Sequence, residues 1–205
     1  MPLNGRAPVV HGVSIDPAHF SERLGLFVII VLGEAVVQVV GAAADEHYDF
    51  GLLATGLASF VLLAGMFGLS VVFGHAGLPH LRAGRISTRA ALGLHCLVTC
   101  VVTTVAVSLS TVVKSGSDPL PDNERWLLCG AIAAYFALGV VSGVVSRSSD
   151  LPRTISRIVT GITIPLLLGL LATSVSGRSL VVCMALVALA HLWFEQRLAP
   201  IQGRR

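Results

Sequence analysis

Long apolar runs, separated by short polar breaks, organise this chain. A run of about 18 or more apolar residues is long enough to cross the roughly 30 Å hydrocarbon core of a bilayer as a helix. Six runs meet or approach that length, at 24–44, 51–74, 90–113, 126–146, 158–175 and 179–194. The last is short and follows a tight turn at Ser176, Gly177 and Arg178. The final two runs are therefore expected to form a hairpin that crosses at a tilt or incompletely. The predicted fold is all-α, a polytopic transmembrane helical bundle of about six spans. It divides into a cytoplasmic N-terminal segment (1–23), a transmembrane domain (24–194) and a cytoplasmic tail (195–205).

Composition strengthens that picture. Hydrophobic residues make up 54% of the 205 and charged residues 12%, about half the charge of an ordinary soluble domain. Mean hydropathy is +0.84. The net charge of +3 does not point to nucleic acid, because the basic residues sit in the short segments between spans. If the N-terminus is cytoplasmic, only Lys114, Arg125 and Arg178 fall outside, against eleven inside (Arg6, Arg23, Arg82, Arg85, Arg89, Arg147, Arg153, Arg157, Arg197, Arg204 and Arg205). That is the bias expected of a multi-span membrane protein with both termini cytoplasmic. No apolar stretch follows a basic start in the first 23 residues, so no cleavable signal peptide is expected. The four cysteines, Cys96, Cys100, Cys129 and Cys183, lie inside apolar runs without metal-ligand spacing and read as packing residues. Small residues at Gly139 and Gly143, and at Ala64 and Gly68, would let helices approach closely, and Pro165 should disturb the fifth span.

One residue stands out for chemistry. Glu34 is the charge placed well inside a span. An acidic side chain at that depth costs about 2.5–3.5 kcal/mol on insertion scales and normally faces the bundle interior or water. Arg23, Phe27, Ile30, Glu34, Gln38 and Gly41 follow spacings of three and four, so they share one helix face. His19, Glu22 and Arg23 form a polar cluster below it. A second polar line, His95, Thr99 and Thr103 at spacing four, runs up the third span. Glu34, Gln38 and His95 are the candidate ion- or substrate-binding residues. The competing reading makes Glu34 a packing group, although an interhelical hydrogen bond in a membrane averages only about 0.6 kcal/mol. Neither a catalytic set, a metal-ligand cluster nor a cofactor fingerprint is found, so no enzyme activity, metal or cofactor is expected. Ser142 in the fourth span and His191 in the sixth suggest a membrane serine hydrolase in outline. However, Val140, Val141, Ser142 and Gly143 do not make its G-x-S-G motif.

The segment from His19 to Glu34 carries His19, Phe20, Glu22, Arg23, Gly25, Leu26, Ile29, Ile30, Leu32, Gly33 and Glu34 at fixed offsets. This resembles the H-F-x-E-R-x-G-L-x-x-I-I-x-L-G-E signature of the bacterial low temperature requirement A (LtrA) family. The chain departs from the family where an aromatic run usually closes the next span, since Met66 to Phe73 holds only Phe67 and Phe73. It is also about half the usual length, so it looks like a C-terminal half or a shortened member. The resemblance implies a multi-pass membrane protein and makes His19, Glu22, Arg23, Gly25, Gly33 and Glu34 the positions that matter. Two functions stay open: a transporter- or permease-like component with Glu34 as a proton- or ion-linked site, and a structural or assembly subunit. The expected partners are the lipid bilayer and, beyond it, a homo-oligomer or a partner membrane half, with no nucleic acid.

Overall fold

The computed structural model describes residues 16–73, 85–147 and 151–198. Six helices there are long and apolar enough to cross a membrane. They are α1 (Pro17–Ala44), α2 (Phe50–Val71), α3 (Thr88–Ser115), α4 (Asp122–Val145), α5 (Leu151–Leu171) and α6 (Gly177–Leu198). No strand forms among the described residues, which show a single isolated bridge between Pro119 and Ser176. The expected all-α membrane bundle is therefore observed.

The helix ends follow ordinary side-chain chemistry. Asp49 caps α2 by accepting from the Leu52 amide at 2.6 Å, and Ser87 caps α3 by accepting from the Ala90 amide at 3.2 Å. Gly116, at φ +61°, ends α3 in a conformation that other residues rarely adopt. Asp122 and Glu124 place negative charge in the first turn of α4, where the helix dipole favours it.

The helices pack as a ring of neighbours in the order α1, α3, α4, α5, α6, α2, with α3 also touching α6 across the centre. Leu62, Met66 and Leu69 of α2, Val98, Val105 and Leu109 of α3, Leu128, Ile132 and Phe136 of α4, and Leu180 and Met184 of α6 fill the middle. Tyr135 inserts its hydroxyl among them, donating to the Met66 carbonyl at 2.6 Å with the Ser70 hydroxyl 2.8 Å away. Close approach between α2 and α6 depends on Gly65 and Gly68. A Cβ at Gly65 would stand 3.2 Å from the Ala188 Cβ, and one at Gly68 3.1 Å from Leu192. The expected pair was Ala64 with Gly68, but Ala64 is exposed.

The last two spans depart from the expected short hairpin. Both are of full length: Leu151–Leu171 and Gly177–Arg197 each qualify as spans. The apolar runs stop short in the sequence because Arg153, Arg157 and Glu195 punctuate them, yet those charges meet one another and the helices continue through them. The fifth span is irregular. An α-helical turn, Leu151–Ser156, leads into a π-helical segment, Arg157–Thr163, and then into α-helix again, Ile164–Leu171. Pro165 lacks the N–H that would return to the preceding turn, and the wider π turn takes up the mismatch. Thr163 adapts by donating its hydroxyl to the Ile158 carbonyl at 3.0 Å, five residues back. Arg125, expected in an outer loop, is buried instead. It donates to the Gly169 carbonyl at 2.9 Å, near the end of α5 where helical partners run out, and pairs with Asp122 at 2.9 Å.

Candidate functional sites: an outer polar seam and a buried ion cluster

The buried side of α1 consists of Val28, Leu32, Ala35, Val39 and Ala42. Apart from Leu32, most of the signature and of the polar stripe points elsewhere. Arg23, Phe27, Ile30, Gly33, Glu34 and Gly41 are all exposed, and Gln38 is half-buried. Glu34 was expected to face the bundle interior or water. It lies instead on the outer surface of the bundle, because the apolar face of α1 is the one the neighbouring helices need. Gln38 Nε2 donates to Glu34 Oε1 at 3.4 Å, the long end of hydrogen bonding. Among the described residues, no atom lies within 4 Å of where a Cβ would stand at Gly33 or Gly41. At the start of α1, His19 Nδ1 and Glu22 Oε2 are 3.7 Å apart, both exposed. Gly25 is half-buried. Because α1 already begins at Pro17, this cluster lies on the same helix as Glu34.

The second polar line runs beside the first. Phe20 packs with Ile86, Ala91 and Leu94, so α1 and α3 start together and run parallel. Higher up, the Phe27 and His95 rings lie 5.6 Å apart. Glu34 is seven residues beyond Phe27 and Thr103 eight beyond His95, a rise of roughly 10–12 Å in each helix. Glu34 and Gln38 thus flank the α1–α3 seam at about the height of Thr103. The Thr99 and Thr103 hydroxyls donate to carbonyls of their own helix, at 3.0 Å to His95 and 3.0 Å to Thr99. His95 is 3% exposed, and among the described residues neither ring nitrogen has a hydrogen-bond partner. It is an apolar-packed imidazole aimed at the seam.

A second cluster lies where the sequence placed loops. Glu195 on α6 is 1% exposed. Its Oε1 accepts from Arg157 Nε at 3.0 Å and Nη2 at 2.6 Å, and Arg153 Nε stands 3.1 Å from Oε2. Arg157 Nη1 also donates to the Gly139 carbonyl at 2.8 Å, which ties α5 to α4. His191, one turn before Glu195, has Nε2 3.8 Å from Oε1. Its Nδ1 lies 3.2 Å from the Thr160 hydroxyl and 3.4 Å from that of Ser156. Thr160 already donates to the Ser156 carbonyl at 2.7 Å, so its oxygen is left to accept from Nδ1–H. Glu34 is therefore not the sole charge inside the spans. The available signal was the i, i+4 spacing of Arg153 with Arg157 and of His191 with Glu195 on consecutive helices. Among the described residues, no group of three or more His, Cys, Asp and Glu side chains is placed to hold a metal ion.

Comparison with known proteins agrees with the signature. The family model "Bacterial low temperature requirement A protein (LtrA)" matches residues 1–189 of the 205. No curated protein and no solved structure matches the chain. The match runs through all of α1 to α5 and most of α6, well beyond the motif that first suggested it. This six-span helical membrane protein belongs to the bacterial low temperature requirement A family.

Proposed function

We propose that the chain is a permease-like component of the bacterial inner membrane, with N- and C-termini in the cytoplasm and Glu34 as its proton- or ion-linked residue. Gln38 and His95 are its polar neighbours, and His19, Glu22 and Arg23 mark the cytoplasmic mouth of the same face. The observation that carries this reading is the position of Glu34, near the middle of α1 and unclaimed by the bundle's own packing. A carboxylate that only pinned helices together in this chain would point inward. Exposed within a span, it bears a penalty of about 2.5–3.5 kcal/mol that the Gln38 contact does little to offset.

The test is proton uptake into proteoliposomes under an imposed pH gradient, read with an entrapped pH dye. Glu34→Gln should fold and unfold like the parent while losing the protein-dependent flux. Equal flux from parent and variant would end the transport reading. The second reading, a structural or assembly subunit, is favoured by the open glycines Gly33 and Gly41 beside Glu34. It gains if Glu34→Gln changes only stability in detergent. In neither reading is the chain an enzyme. Covalent labelling of Ser142 by a serine-hydrolase probe would overturn that.

A further inference from the structure

The six spans are not equally covered. The most apolar stretches of α2, α3 and α4 are 50%, 44% and 56% buried, those of α1 and α5 only 28% and 22%. For α5 the bilayer is a sufficient neighbour, because its exposed side chains are apolar apart from Thr163, whose hydroxyl donates to the Ile158 carbonyl. For α1 it is not. Beside exposed Leu26, Ile29, Ile30, Val37 and Val40, its open face carries a carboxylate, a half-buried amide and two glycines.

The glycines sharpen the contrast. Gly65, Gly68 and Gly169 each sit where a Cβ would press within 3.1–3.3 Å of a neighbouring side chain, so close helix approach accounts for them. Among the described residues nothing stands within 4 Å of a Cβ at Gly33 or Gly41; Gly56, Gly93 and Gly130 are as open, but of these positions only Gly33 and Gly41 share one helix. They lie two turns apart with exposed Val37 between them, and they leave a shallow strip on which another helix could lie at close range. The strip borders Glu34 and Gln38.

We infer that the outer face of α1 seats a second copy of this chain, with Glu34 of each protomer hydrogen-bonded to the partner's Gln38. The pattern is self-complementary. A two-fold axis along the membrane normal sets α1 parallel to its copy, as two chains inserted with the same orientation require. Within its own helix each Gln38 amide already reaches one turn down to Glu34, so across the axis it comes within reach of the facing Glu34 at the same level. An amide with two N–H donors meets an acceptor that holds only a 3.4 Å contact in its own chain. The second copy thereby completes the surroundings of the residue assigned above to proton or ion linkage, and the inference rests on that reading only for what the covered carboxylate does.

Cross-linking in bilayers tests it. In a chain whose four cysteines are replaced by serine, Val37→Cys should form disulfide-linked dimers on mild oxidation, and Leu170→Cys on the far helix should not. Photobleaching of the otherwise unaltered chain, labelled at its terminus and diluted into liposomes, should show two steps. Glu34→Leu should weaken association by about ten-fold, the order expected for losing two membrane hydrogen bonds, whereas Glu34→Gln should keep the dimer. Single-step bleaching of the parent, equal cross-linking at Leu170→Cys, or cross-linking of Val37→Cys only to a different polypeptide would each overturn the inference. The two readings fail separately. A dimer whose Glu34→Gln form still carries flux removes the transport role and keeps the interface. A monomer whose Glu34→Gln form is inactive does the reverse.

Discussion

Glu195→Ala should be among the most damaging single substitutions in this chain. The carboxylate accepts two charge-assisted hydrogen bonds from Arg157, whose side chain is 9% exposed. Each bond of that kind is worth about 1.5–3 kcal/mol, and breaking a buried pair from one side costs about 3–5 kcal/mol in all. Arg153 adds little to the loss, because its side chain is 22% exposed and can turn toward lipid headgroups. Arg157→Met should cost less, about 2–4 kcal/mol, since Glu195 keeps Arg153 beside it. The double variant Arg157→Met with Glu195→Leu should return to within about 1–2 kcal/mol of the parent, because a buried ion pair exchanged for apolar groups of similar volume is nearly neutral. Reversible unfolding by SDS in mild detergent, followed by circular dichroism for Glu195→Ala and for the cycle of parent, Arg157→Met, Glu195→Leu and their double, measures the coupling. A cost under about 1 kcal/mol for Glu195→Ala, or two single losses that add up to that of the double, would refute a strongly coupled buried pair.

Two further substitutions probe opposite features. A Cβ at Gly161 would overlap the Phe136 ring, so Gly161→Ala should destabilise by about 1–3 kcal/mol, with part of the loss recovered by adding Phe136→Leu; a thermal midpoint unchanged by Gly161→Ala would show that α4 and α5 do not approach that closely. His95→Leu should raise the midpoint, since a buried imidazole without hydrogen-bond partners forfeits about 1–3 kcal/mol; a clear loss of stability would mean that His95 is satisfied in the folded protein.

The spans are plain in the sequence because bilayer thickness imposes a length on every helix, and a water-soluble fold has little use for apolar runs of that length. What the sequence hides is direction. The spacing of Arg23, Phe27, Ile30, Glu34 and Gln38 places them on one face correctly, but periodicity alone does not say which face turns inward. The rule that membrane charges face inward would send Glu34 to the interior, yet the apolar stripe through Val28, Ala35 and Val39 has the stronger claim on it. The rule suits Arg157 and Glu195, whose positions at the edges of apolar runs make them look like loop residues. Pairing between side chains 38 positions apart leaves no local trace, and so the ends of α5 and α6 look shorter in the sequence than they are. Gly161 gives no signal either, because a glycine in a helix shows its purpose only beside the ring it accommodates.

The π-helical turn in α5 has a consequence for counting. Arg157 and Gly169 are twelve residues apart, and in an unbroken α-helix at about 100° per residue they would point roughly 120° away from each other. One residue absorbed by the wider turn reduces that to roughly 20°, which lets Arg157 reach the Gly139 carbonyl at one end while Gly169 receives Trp126 at the other. Both ends of α5 therefore address the same neighbour. In this stretch the number of residues carries as much information as their identity: a chain shorter by one position would keep nearly every side chain and still aim half of them at the wrong helix.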